Sequence, residues 1–172
     1  EEPMRRVSAQ KGDLIAVTGQ LGASRGGLDL LLGNKSISKE ALDYLVDAHR
    51  HPKPRVREGR ILAREGVTAA MDISDGLVDD LKKFMKASDL AAQLDIWRIP
   101  MNPLMVEAFD DDALGLALAG GEDYELLYAG SPQVIEKTLA LLPDAAIIGR
   151  VVSGDSGAVT LLQSEDHEMK IQ

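Results

Sequence analysis

Apolar residues fall along this chain in two kinds of pattern, short continuous runs and stripes at helical spacing, and the two kinds interleave. "DLIAVTG" (13–19) is an apolar run bounded by Gly12 and Gly19, the sign of a buried strand. "VTAAMDI" (67–73), "AAQLDIW" (91–97), "AAIIGRVV" (145–152) and "AVTLLQ" (158–163) read the same way, the last two joined by "SGDSG". "EDYELLYAG" (122–130) alternates instead, which predicts a strand with Tyr124, Leu126 and Tyr128 on one face. Between these runs lie the helical stripes. Leu28, Leu30, Leu31 and Leu32 follow a glycine-rich turn and stop at Gly33. Ser38 caps a helix with Glu40 in its first turn and Ala41, Leu42, Leu45 and Val46 facing inward. "HPKP" (51–54) ends it, because proline biases the preceding residue away from helical geometry. Further helices are predicted over 56–64, over the stripe Leu77, Leu81, Phe84 and Met85, and over 102–109 and 113–119 on either side of "DDD". Ser131 and Pro132 then open a helix carrying Val134, Ile135, Leu139 and Leu142. The first dozen residues are a polar lead-in, and "SEDHEMKIQ" at the end predicts no element.

Strands and helices interleaved without strict alternation imply an α/β (α+β) domain, layered α/β/α around a mixed sheet. No internal repeat, low-complexity tract or linker divides the 172 residues, so one domain is expected over 1–172. Composition narrows the function. With no cysteine, disulfides and thiolate metal sites are excluded. No apolar stretch approaches the roughly 20 residues that span a bilayer, so no membrane partner and a cytoplasmic location are expected. A formal net charge of −9 with 3% aromatic residues argues against nucleic acid, whose binding is driven by lysine and arginine. Such a protein meets phosphates most readily through divalent cations.

The densest candidate chemistry is "AMDISDGLVDDL" (70–81), where Asp72, Ser74 and Asp75 crowd into four positions and Asp79 and Asp80 follow. The segment passes from a strand to a helix, which places Ser74 or Asp75 at the cap and Asp79 and Asp80 in the first turn, where negative charge suits the helix dipole. Capping accounts for one acid. The Asp72/Asp75 pair repels itself unless a basic partner or a metal ion sits beside it, and hard oxygen ligands on a turn are what magnesium takes. "GGEDYEL" (120–126) places Glu122 and Asp123 at the mouth of a strand, behind two glycines that permit close approach; a plain turn with solvated acids is the other reading. "TGQLGASRGG" lacks the lysine of a P-loop and the dinucleotide-binding glycine spacing, leaving a phosphate cradle or a tight strand–helix turn. His49 and His51 lie among basic residues that would repel a cation, and Trp97 reads as core or interface.

Taken together and in order, "GDLIAVTGQLGASRGGL", "HPKPRVREGRILA", "AMDISDGLVDDL", "ALAGGEDYELLY" and "IIGRVV" resemble the C-terminal domain of thiamine-monophosphate kinases, within the aminoimidazole ribonucleotide synthetase-like superfamily. The resemblance covers about Gly12 to Val152. It implies transfer of the ATP γ-phosphoryl group to thiamine monophosphate with Mg2+, giving thiamine diphosphate. It implies Asp72 and Asp75 as metal ligands, Ser74 as a nucleotide contact and Glu122 as a substrate contact. The family carries an N-terminal nucleotide-binding domain that this sequence lacks and forms homodimers, so these 172 residues alone are expected to be inactive. The family's C-terminal aromatic substrate contact is not carried over, because the matching segment keeps only Asp166 and His167. Two alternatives stand beside this reading. One is a related ATP-dependent enzyme with another small substrate, the other a non-catalytic binding or regulatory module.

Overall fold

In the first strand, β1 (Leu14–Val17), successive side chains enter two different cores. Ile15 and Val17 join a large cluster with Phe84, Met85 and Leu94, whereas Ala16 joins a smaller one with Leu62, Tyr128 and Ile135. A strand covered on both faces needs apolar residues at every position, which is why the run is continuous rather than alternating. β2 (Ala69–Asp72) and β4 (Leu126–Gly130) divide their residues in the same way, Ala69, Leu127 and Ala129 to the large cluster and Ala70 and Tyr128 to the small one.

The computed structural model of the protein describes residues 3–33, 35–164 and 167–169. Among them, β3 (Ala91–Asp95), β5 (Ala146–Val152), β6 (Val159–Ser164) and β7 (His167–Met169) complete a seven-stranded sheet of order β2-β4-β1-β5-β3-β6-β7. The β3–β6 pair is parallel and every other pair is antiparallel, so the sheet is mixed. Helices α1 (Ala23–Leu32), α2 (Lys39–Arg50), α4 (Leu77–Ala87), α5 (Pro103–Phe109) and α6 (Ala113–Ala119) supply the large core. α3 (Val56–Arg64) and α7 (Pro132–Leu141) close the smaller one over β2, β4 and β1. This is the expected α/β/α layering. α2 is capped by Ser38, whose hydroxyl accepts from the Ala41 N–H at 3.2 Å. In α4 all four stripe residues, Leu77, Leu81, Phe84 and Met85, are fully buried.

Several expectations need correction. α1 does not bury its leucine stripe: Leu31 and Leu32 are exposed, and its inner face is Ala23, Ser24, Gly26, Gly27 and Leu30, small residues that let α2 approach closely. Leu42 likewise turns outward, leaving Ala41 and Leu45 to seat α2. Trp97 lies on a single 3-10 turn, Ile96–Arg98, past the end of the strand, and at 42% exposed it is not core, one half of the core-or-interface reading. β4 begins only at Leu126, and Tyr124 leaves the face shared by Leu126 and Tyr128, for reasons given by the site. Both strands joined by "SGDSG" are present as β5 and β6, with β3 between them in the sheet.

Candidate functional site

β2 ends at Asp72 and α4 starts at Leu77, so 73–76 form a tight strand-to-helix turn. Gly76 makes that turn possible. It sits at φ +116° with the Ala119 carbonyl 2.8 Å from where a Cβ would stand, and a side chain there would meet both strain and backbone. The helix cap is therefore Gly76, with no side-chain cap bond, and neither Ser74 nor Asp75 takes that role. The turn is held from the far side instead. Asp80, 1% exposed, reaches back so that Oδ2 accepts from the N–H of Ser74 at 2.8 Å and of Asp75 at 2.9 Å. Its Oδ1 accepts from Lys83 Nζ at 2.8 Å, and the same ammonium donates to Asp75 Oδ2. Asp79 stays a solvent-facing first-turn acid, 3.6 Å from Lys82. Burial pushes the Asp80 carboxyl up, but the bonds from Lys83, Asp75 and Ser74 outweigh it and hold the group below the usual carboxylate range. The same bonds to Asp75 and Asp80 raise the Lys83 ammonium.

Asp72 and Asp75 are both exposed on the mouth of this turn. Their donor set, two hard carboxylates open to solvent, fits a magnesium ion that keeps waters and takes substrate phosphates as further ligands. Among the described residues no three His, Cys, Asp or Glu side chains converge into a closed metal cage. A basic partner is present at one of the two acids, since Lys83 pairs with Asp75.

The second acidic segment is brought to the first by backbone. β2 and β4 pair in register with Asp72 opposite Leu126. Beyond the register the ladder continues irregularly: the Ile73 N–H donates to the Glu125 carbonyl at 2.8 Å, Tyr124 N–H to Ile73 O at 2.9 Å and Glu122 N–H to Ser74 O at 2.9 Å. Gly121 packs so closely that a Cβ would stand 2.6 Å from the Ser74 carbonyl. Glu122 and Tyr124 take positive φ, 65° and 52°, a conformation that L residues adopt at a cost and that clusters at functional sites. Ser74 and Glu122 are thus neighbours, while the Glu122 side chain, 57% exposed, faces His49 Nδ1 at 3.8 Å. His49 Nδ1 also lies 3.1 Å from Ser24 Oγ, and His51 goes separately to Asp47 at 2.8 Å.

The positive φ values turn the next two acids inward. Asp123 accepts from the N–H of Gly22 at 2.8 Å and of Ser24 at 3.3 Å, so its carboxylate occupies the N-terminus of α1. "TGQLGASRGG" is therefore a tight turn whose free N–H groups are met by the protein's own carboxylate. Burial pushes the Asp123 carboxyl up to about 6 against those two bonds, with the Glu125 charge adding to the rise. Glu125, 5% exposed at its side chain, accepts from the Thr18 hydroxyl at 2.6 Å and forms an ion pair with Arg55. Arg55 comes from the "HPKPR" break, and its Nε is buried without a hydrogen-bond partner. A cleft of about 330 Å³ opens over this floor, walled by Gln20, Tyr44, Lys53, Asn102 and Asp144. Asp80, Lys83, Asp123, Glu125, Arg55 and Thr18 are the residues that periodicity and motif did not assign to these roles. The one visible signal is the i, i+2 spacing of Asp123 and Glu125, which reads as one side of an extended segment; both do line the cleft, although Tyr124 between them takes positive φ. Of the C-terminal "SEDHEMKIQ" pair, Asp166 lies outside the described residues and His167 opens β7.

A mixed sheet layered between helices, with an Asp-Ile-Ser-Asp turn laid against a glycine-led acidic strand entry, defines the class of protein. Residues 10–162 match the family described as AIR synthase related protein, C-terminal domain, and the chain belongs to that family. Among its relatives is a thiamine-monophosphate kinase of Buchnera aphidicola subsp. Schizaphis graminum, 37% identical over 166 residues, 93% of this chain and 51% of that protein. The crystal structure of a thiamine-monophosphate kinase from Stenotrophomonas maltophilia superposes with a TM-score of 0.82 at 33% identity, covering 92% of this chain and 52% of that one. AaThiL complexed with AMPPCP and TMP gives a TM-score of 0.81 at 30% identity, covering 96% and 53%. The chain spans about half the length of these relatives. No helix among the described residues is long and apolar enough to cross a membrane.

Proposed function

We propose that the chain is the C-terminal domain of a thiamine-monophosphate kinase, which moves the ATP γ-phosphoryl group to thiamine monophosphate. The observation that carries this reading is the backbone junction of the two motifs, Glu122 N–H to Ser74 O at 2.9 Å. It sets "MDISDGL" and "GGEDYEL" side by side at the ends of β2 and β4. Phosphoryl transfer asks a protein mainly for positioning and charge neutralisation; the junction supports the first, and a metal held by its acids would supply the second. Asp72 and Asp75 would hold Mg2+, which neutralises the phosphates when bound. Ser74 would contact the nucleotide and Glu122 the acceptor. The relative complexed with AMPPCP, an ATP analogue, and with TMP supports ATP and thiamine monophosphate as the pair of substrates. The reading includes a cytoplasmic homodimer whose nucleotide site is completed by an N-terminal domain.

The test is a turnover assay on the kinase containing this chain together with such a domain, with ATP, Mg2+ and thiamine monophosphate. Thiamine diphosphate should form, and Asp72→Asn and Asp75→Asn should each lower kcat by at least about 100-fold, the scale of losing an electrostatic clamp. The 172 residues alone should give no turnover. Phosphorylation of a different small acceptor in preference to thiamine monophosphate would overturn the assignment.

A further inference from the structure

Lys83 is not a residue the two motifs contain, yet its ammonium sits at the centre of the acidic turn. One tie is permanent in character: Asp80 Oδ1, on a carboxylate only 1% exposed, at 2.8 Å. The other is to Asp75, a carboxylate 68% exposed and free to take other partners. The turn carries Asp72, Asp75, Asp79 and Asp80 against Lys82 and Lys83, and Lys82 is spent on Asp79 at 3.6 Å. Lys83 is thus the cation that a metal arriving at Asp75 has to face.

From this geometry we infer that Lys83 makes the turn select a divalent cation already carrying phosphates over the bare ion. The inference rests on the reading of Asp72 and Asp75 as metal ligands. Two cations served by one carboxylate stand within about 5 Å, where a unit charge changes the affinity for a dication roughly tenfold even at near-aqueous screening. A bare dication therefore competes with Lys83 for Asp75 and is disfavoured by it. A metal–polyphosphate complex carries net negative charge, so the same ammonium, still anchored on Asp80, attracts it and donates to phosphate oxygens. Lys83 is accordingly a positioning and selectivity residue, with opposite effects on the two species.

The experiment titrates the chain with Mn2+ alone and with the preformed Mn2+–tripolyphosphate complex, following bound manganese by electron spin resonance. Lys83→Gln keeps a donor for Asp80 without the charge. It should bind bare Mn2+ about tenfold more tightly and the tripolyphosphate complex several-fold more weakly, while Lys83→Arg stays near wild type in both. A second readout needs no variant: in the unsubstituted protein, Mg2+ should shift the Lys83 side-chain NMR signals as the Asp75 contact is lost while the Asp80 contact stays. Affinities that move in the same direction, as a purely structural role would produce, overturn the inference, as does unchanged bare-ion binding in Lys83→Gln. An Asp72→Asn/Asp75→Asn variant should lose both kinds of binding. If it keeps them, the metal reading itself falls and the inference with it, an outcome distinct from failure of Lys83 alone.

Discussion

The protein buries carboxylates in two adjoining places and stabilises them by opposite means. At the turn, Asp80 is almost fully buried but has a cation and two backbone N–H groups on it, and its carboxyl lies below the usual range. In the cleft, Asp123 also has two backbone N–H groups but no cation, because Arg55 is committed to Glu125, and its carboxyl rises to about 6. The same number of N–H donors therefore ends in opposite shifts. Hydrogen bonds from the backbone and a helix N-terminus only partly offset burial at Asp123, where the Glu125 charge adds to the rise, whereas the Lys83 ammonium together with two N–H groups outweighs burial at Asp80. The contrast suits different tasks. The turn keeps a rigid, fully charged base under two exposed acids, while the cleft holds a carboxylate whose charge is uncompensated and open to change by whatever enters.

Removing the anchor of the turn should do the most damage. Asp80→Ala leaves the N–H groups of Ser74 and Asp75 without their acceptor and removes the partner that fixes Lys83. Losing the acceptor of two backbone N–H groups should cost about 2–3 kcal/mol by urea denaturation, with little from the ion pair itself because Lys83 is exposed and regains water. A loss under about 1 kcal/mol, the net worth of a single hydrogen bond, would mean that the turn holds its shape without Asp80, and the contrast with the cleft would lose one side.

The pH dependence of stability separates the two regions next. Asp123 binds its proton more readily folded than unfolded, so stability falls as pH rises from the ordinary carboxylate value of 3.8 to about 6 and stays reduced above that. A carboxyl raised that far costs roughly 3 kcal/mol at most. Asp80 has the reverse sign: its contribution is present above the ordinary carboxylate value and is lost as pH falls through its lower folded value. Asp123→Asn should therefore flatten the decline between about pH 4 and 6 and gain about 1–2 kcal/mol at pH 7, after the weaker bond to Ser24 is lost. The measurement is a series of denaturant midpoints from about pH 2 to 8, so that the Asp80 loss below the ordinary carboxylate value and the Asp123 change up to about 6 both fall inside it. An unaltered slope in the variant would show that a cation reaches Asp123 after all.

The layering was legible in the sequence because burial on both sheet faces forces apolar residues at consecutive positions. "DLIAVTG" and "VTAAMDI" therefore announce β1 and β2 directly. The strand entry was not. "EDYELLYAG" alternates well enough to suggest a strand from its first residue, but Glu122 and Tyr124 turn to positive φ so that Asp123 can reach the N–H of Gly22, 101 positions earlier. No periodicity carries information about a contact at that range. The crowding of Asp72 and Asp75 was visible as a charge problem, and a basic partner was among the solutions the residues allowed. That Lys83 is that partner depends on Gly76 turning the chain and on Asp80 facing backward from the first turn of α4, neither of which the spacing of acids reveals. α1 shows the same gap from the other direction, since Leu31 and Leu32 of its leucine stripe turn outward and its glycines join Leu30 on the packed face.

The smallest effect comes from Thr18, and it tests whether the floor of the cleft is as tightly specified as the floor of the turn. Its hydroxyl donates to Glu125 Oε2 at 2.6 Å and accepts from the Leu126 N–H at 2.9 Å, with the residue 2% exposed. Thr18→Val keeps the volume and loses both bonds, leaving one N–H and one carboxylate oxygen short of a partner; Thr18→Ser keeps the bonds and loses a methyl. If Glu125 is held chiefly by Arg55, Thr18→Val should cost about 1–2 kcal/mol and Thr18→Ser about 1 kcal/mol, so the two fall close together. If the hydroxyl is instead what fixes Glu125 in its place, the valine variant should cost distinctly more than the serine one, and its Arg55 should become accessible to arginine-specific reagents. The ordering of the two midpoints, read against that accessibility, shows whether the cleft keeps its paired charge by the ion pair or by the strand beneath it.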